Sequence, residues 1–214
     1  MNKHTFLDSK IYHFLSKMAD LIILNLLFIL CCLPIITIGA AQTALFYVTL
    51  RMTRNEEAHV AEDFLRSFRK NLKQGIAVHL IFSAVTIILC FDVYVLWKLM
   101  EISWIFKYLL IIVILISALH FVTSIYVYPV LAQFENTVRN TIKNARYMAL
   151  KHFSFSLAMS LVALFPFFCA WIMKYFLEWE ILVFLLFGFA LMAYINSVLL
   201  AKVFDKYIPQ NTDA

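Results

Sequence analysis

Two histidines and an aspartate hold the chemical potential of this sequence, because all three sit in apolar surroundings. His79 lies near the start of one apolar run, Asp92 near the outer end of the same run, and His120 midway along the next. An imidazole at that depth can relay a proton, and a carboxylate can relay one or bind a cation. The commoner roles are simpler. A neutral histidine bonds to a neighbouring helix, and an aspartate close to Trp97 reaches interfacial water. A membrane enzyme would need His79, His120 and Asp92 to converge in one cavity.

Other constellations are missing from the sequence. It has no His-Glu-x-x-His, no nucleophile elbow and no phosphate loop, and it contains only three glycines, Gly39, Gly75 and Gly188. Cys31, Cys32, Cys90 and Cys169 lie inside apolar runs without metal-ligand spacing and read as small buried hydrophobes. No paired carboxylates sit at membrane depth. Glu56, Glu57, Glu62 and Asp63 read as residues that cap or solvate helix starts. The expectation is a protein that is not an enzyme, with no metal and no cofactor.

The elements that carry these residues follow from composition. Of 214 residues, 64% are hydrophobic and 14% charged, too apolar for a soluble fold of this size. Five apolar runs stand out at 21–50, 75–97, 108–131, 153–173 and 181–201. Each is long enough to cross a hydrocarbon core of about 30 Å. All 18 Lys and Arg lie outside the runs, and Asp92 is the one acid of 13 inside. The runs are continuously apolar, which indicates helices rather than barrel strands. The fold class is all-α, a single polytopic membrane domain spanning 1–214.

Basic residues set the expected orientation. Residues 51–74 carry six, 132–152 carry four, and the tail carries Lys202 and Lys206, whereas 98–107 and 174–180 carry two and one. The rich segments and the C-terminus are therefore expected in the cytoplasm of a bacterial cell. The net charge of +5 fits basic loops facing anionic lipid, not nucleic acid. Lys3, Lys10 and Lys17 argue for a cytoplasmic N-terminus as well. One crossing by 21–50 would put that end outside. A hairpin resolves the conflict: one helix over 11–33, a bend about Pro34 and Gly39, and a second helix over 40–54. That makes six membrane helices. A single kinked crossing is the alternative.

Two cytoplasmic segments read as amphipathic helices, at the membrane surface or packed under the bundle. In 61–73, Ala61, Phe64, Leu65, Phe68 and Leu72 share a face, with Arg66, Arg69, Lys70 and Lys73 elsewhere. In 138–151, Val138, Ile142, Ala145 and Ala149 do the same. The order "basic amphipathic helix, apolar run" thus occurs twice, with a weak echo of Lys70 and Asn71 in Lys143 and Asn144. Asn25 and Asn196 lie within runs and are expected to bond across helices, as are Gln42 and Thr43. Gly39, Ala40, Ala41 and Ala44 present a smooth surface for close helix approach. The alternative for this segment is a broken helix whose carbonyls line a cavity.

Two motifs occur in order. The first is Asn25 with Leu33, Pro34, Ile35, Ile36, Thr37, Ile38, Gly39 and Ala40. The second is Asp63 and Phe64 leading to Phe68, Arg69, Lys70, Asn71, Leu72, Lys73, Gln74 and Gly75. Over about 18–80 the chain resembles the YesL-like family of bacterial integral membrane proteins, a domain of unknown function. The resemblance implies a multi-pass protein of the cell membrane and supplies no catalytic residues. Members are often encoded beside genes for polysaccharide uptake and breakdown. The resemblance therefore implies a non-enzymatic role accessory to carbohydrate uptake or sensing, with a sugar transporter or membrane sensor as partner. The alternative is a small transporter or channel in its own right.

Overall fold

Charge segregation predicts where the apolar runs fall, and the computed structural model builds helices through them, α1 and α3 extending well into the charged segments. It describes residues 3–56, 59–172 and 182–207. The expected linker at 174–180, Glu57 and the extreme termini lie outside the described residues.

Seven α-helices are described: α1 (Lys3–Cys32), α2 (Ile38–Thr53), α3 (Val60–Leu99), α4 (Ile105–Gln133), α5 (Val138–Lys151), α6 (Phe153–Ile172) and α7 (Phe189–Phe204). A 3-10 turn, Ile35–Thr37, joins α1 to α2, and a π turn, Phe184–Gly188, leads into α7. Five of the described spans are long and apolar enough to cross a membrane, and six if the bent pair α5–α6 counts as one.

The first run is a hairpin. Helix α1 stops at Cys32 because Pro34 has no donor to continue it. Thr37 closes the bend. Its hydroxyl lies 2.7 Å from the carbonyls of both Cys31 and Pro34. The far ends then meet, with Lys17 Nζ 3.4 Å from Asn55 Oδ1. Between them Leu21, Leu24 and Phe28 pack against Ala41, Ala44, Leu45 and Val48.

The small residues of α2 serve the contact expected of them. A Cβ on Gly75 would stand 2.6 Å from the backbone of Ala40, and one on Gly39 would stand 2.2 Å from the Gly75 carbonyl oxygen. Lipid offers no hydrophobic drive for helices to pair, so such close backbone packing supplies much of the attraction.

One expectation is overturned here. Residues 61–73 do not form a separate surface helix. They are the first third of α3, which runs unbroken for 40 residues, about 60 Å. The buried stripe also differs, being Val60, Asp63, Phe64, Ser67, Gly75, Val78 and Phe82, while Ala61 and Leu65 are exposed. Asp63 turns inward because Arg51 of α2 waits there, with Nη1 2.7 Å from Oδ2. Gly39 and Ala40, at the start of α2, stand beside Gly75, and beyond that point α3 runs against α4, with His79 near Tyr128 and Thr86 near His120.

The second amphipathic segment does form its own helix. α5 buries Thr141, Ala145, Met148 and Ala149, with Val138 and Ile142 packed at the edge of the same cluster. It meets α6 at a bend of 102°. Tyr126, Val127 and Val130 of α4 and Leu200, Val203 and Phe204 of α7 complete that cluster.

Candidate functional site, an apolar cavity with a neutral polar stripe

Helical spacing places small polar side chains along one face of α3. His79, Ser83 and Thr86 stand at i, i+4 and i+7. On α4, Ser117, His120, Ser124 and Tyr128 stand at i, i+3, i+7 and i+11. These two faces look toward each other across a cavity of about 870 Å³. Gln42, Leu45 and Phe46 of α2, Ala163 of α6 and the 189, 192, 193 and 196 face of α7 complete its wall. The volume is within the usual range for small-molecule pockets, roughly 300–1,000 Å³.

Both intramembrane histidines therefore line one space, but they are not partners. His120 Nε2 is 3.0 Å from Thr86 Oγ1. The threonine hydroxyl already donates to the Phe82 carbonyl at 2.8 Å. It must accept from His120, which places the proton of that ring on Nε2. The ring also stacks on Phe82, with centroids 4.8 Å apart. His79 lies lower, with Nδ1 3.4 Å from Tyr128 Oη and Nε2 3.5 Å from Ser83 Oγ. Asp92 is only partly buried and does not line the cavity. His79 and His120 thus share the cavity, and Asp92 does not join them. Among the described residues no group of three or more His, Cys, Asp or Glu is placed to hold a metal ion.

Asn196 contradicts its expectation. It is 6% exposed and lines the cavity, yet its Oδ1 has no hydrogen-bond partner among the described residues. Asn25 does bond across helices. Its Nδ2 donates to the carbonyls of Phe184 and Leu185 at 3.0 and 2.9 Å, and its Oδ1 accepts from the Ala190 amide at 3.0 Å. These are backbone groups that the π turn displaces from the regular ladder. Thr43 instead donates to Gly39 within its own helix.

The remaining motif residues build the polar end of the bundle. Arg51 also bonds Glu56 through Nε at 3.0 Å, so Asp63 and Glu56 share one guanidinium. Phe64 is fully buried and stacks on Phe68. Asn71 Nδ2 donates to the Ser67 carbonyl one turn back. Lys70 reaches Glu135 at 2.6 Å and holds that carboxyl below its usual range. Arg66, Arg69, Lys70 and Lys73 border a second, polar cavity of about 820 Å³.

Residues 21–93 match the model of a family described as "Protein of unknown function, DUF624". The match covers the hairpin and runs along α3 to Val93, the last residue of that helix to line the cavity. No curated protein and no solved structure matches the chain.

Sequence reasoning singled out His79 and His120 but missed the site as a whole. The available signal was the spacing of Ser83, Thr86, Ser117 and Ser124, which put every one of these hydroxyls on a histidine's face.

Proposed function

We propose that this chain is a non-enzymatic integral protein of a bacterial cell membrane, accessory to carbohydrate uptake or sensing, and that it acts through contact with a sugar transporter or a membrane sensor. The observation that carries this reading is how the matched segment uses its polar side chains. Asn25, Thr37, Arg51 and Asp63 each hold one part of the chain to another. Large apolar faces meanwhile stay uncovered within the chain: Ile87, Phe91 and Trp97 on α3, and Ile111 and Leu115 on α4. Such faces suit another membrane helix as well as lipid. The carbohydrate link rests on the resemblance to YesL-like proteins. A cytoplasmic position for both termini is supported by the clustering of Lys17, Arg51, Arg54 and Lys206 where helix ends meet.

Affinity purification of the full chain in mild detergent tests the proposal. Co-recovery of a solute permease or sensor kinase in stoichiometric amount is expected. Recovery of the chain alone from several detergents overturns it.

The break at Pro34 and the intramembrane histidine His120 motivate a second reading, a small transporter. Flux of a sugar or ion into proteoliposomes, lost in His79→Ala and His120→Ala, would support it. Absence of flux would remove it.

A further inference from the structure

We infer that the cavity between α2, α3, α4 and α7 is a binding site for a neutral lipid bearing a hydroxyl headgroup, with the Asn196 amide as the point of recognition. Three observations carry this.

The wall is chemically mixed in one specific way. Phe28, Phe46, Phe82, Phe121 and Phe189 make it predominantly apolar, which disfavours a free sugar or a hydrated ion. No Lys, Arg, Asp or Glu is among its described residues, so a phosphate or carboxylate headgroup would enter without a counter-charge. The polar atoms that do line it are neutral.

Its shape is elongated. It follows α3 from His79 to Val93, 14 residues, which is about 21 Å of helix. That is roughly two thirds of a hydrocarbon core. Ile87 and Cys90 on its rim are exposed, so it opens sideways where lipid lies.

The third observation is the Asn196 amide, more than nine-tenths buried, whose Oδ1 has no partner among the described residues. A buried amide oxygen without a donor is costly in a water-free setting. The Asn196 amide lines the cavity, where a ligand hydroxyl can bond it and also bond Gln42 or a histidine on the same wall. A single water would satisfy the amide but leave the apolar length of the cavity unfilled. An alkyl chain fills it.

The test uses the full chain in phosphatidylcholine nanodiscs with a trace of monoacylglycerol carrying a diazirine in its chain. A fatty acid with the same labelled chain is the charged comparison. On irradiation, peptide mapping should place the monoacylglycerol label on cavity-lining residues of α3 and α4, and unlabelled monoacylglycerol should compete it away. Asn196→Leu should reduce competable labelling about three- to ten-fold, the size of one neutral hydrogen bond. Ala193→Phe, which puts a ring into the cavity, should abolish it. Thermal melting in detergent identifies a variant that fails to fold, and Ala163→Phe then replaces it. Equal competable labelling by the fatty acid overturns the headgroup assignment. Label confined to the exposed faces of α3 and α4, or unchanged in the folded variants, overturns the site. Partner recovery does not enter any of these readouts, so the accessory role can fail independently.

Discussion

The chain twice follows a basic amphipathic segment with an apolar run, and it folds the two copies differently. In α3 the junction near Gly75 is straight, and one helix runs through it. At His152 the chain bends by 102° between α5 and α6. Neither site has a proline to explain the difference. The neighbours explain it. At Gly75 the backbone of α2 presses directly on the helix, and a regular helical groove is what Gly39 and Ala40 need as a partner. At His152 the Ser156 hydroxyl takes over carbonyls that the bend releases, and side-chain contacts surround it. Ser156 Oγ donates to the Ala149 carbonyl at 2.7 Å and lies 3.0 Å from Tyr126 Oη, while His152 Nε2 sits 3.0 Å from Tyr207 Oη. The lesson is that a helix continues or breaks according to which option satisfies its backbone in that setting.

The sharpest way to break the comparison is at the straight junction. Gly75→Ala puts a methyl group against the Ala40 backbone, where nothing flexible can yield. It should cost about 3 kcal/mol through forced separation of α2 and α3. Loss of the folded protein in a detergent melting series reads this out, and an unchanged midpoint would refute the contact.

A smaller effect is expected at the π turn, which lies between the two cases because it is irregular yet held from another helix. Asn25→Leu strands two carbonyls and one amide in the interior. Destabilisation of about 2 kcal/mol should follow. Amide exchange should rise around Ala190 first, and exchange that rises uniformly would argue against a local clamp.

At the bend, Ser156→Ala removes one donor and leaves Tyr126 to turn toward the carbonyls. About 1 kcal/mol is expected. Two spin labels on α5 and α6 should report a broadened distance distribution, and an unaltered one would show that the bend does not depend on Ser156.

The least effect concerns pH. Burial first, then Lys206 and Lys151, push the His152 imidazole below its ordinary value. The fold therefore favours the neutral ring. This contribution is present above the ordinary value of 6.5 and is lost as pH falls through the lowered one. The melting midpoint should drop on acidification from about pH 7 to about pH 5. The drop should be shallower in His152→Asn, and equal slopes would remove His152 from the account.

Legibility varied along the chain for physical reasons. The hairpin could be read because Pro34 acts locally and the lysine-rich ends had to share a side. The stripe on the first third of α3 was misread because Asp63, a charged residue, is buried by a guanidinium that arrives from α2. No local pattern announces that partner. Asn25 was recognisable as a cross-helix residue, but its target was not. A π turn leaves no mark in hydrophobic periodicity. Asn196 looked the same as Asn25 in sequence and ended without a partner for its oxygen among the described residues.

By itself, then, the sequence determined an all-helical protein with several apolar spans, the position of the first bend and the basic character of one end. Those follow from the cost of moving charge into hydrocarbon, which each segment meets alone. Tertiary structure alone decided that α3 runs straight while α5 and α6 part, that Asn25 closes on the π turn, and that His79, His120 and Asn196 share a cavity. These depend on which helix faces which, and that is settled by the close packing of small residues and the pairing of buried polar groups between segments far apart in the chain.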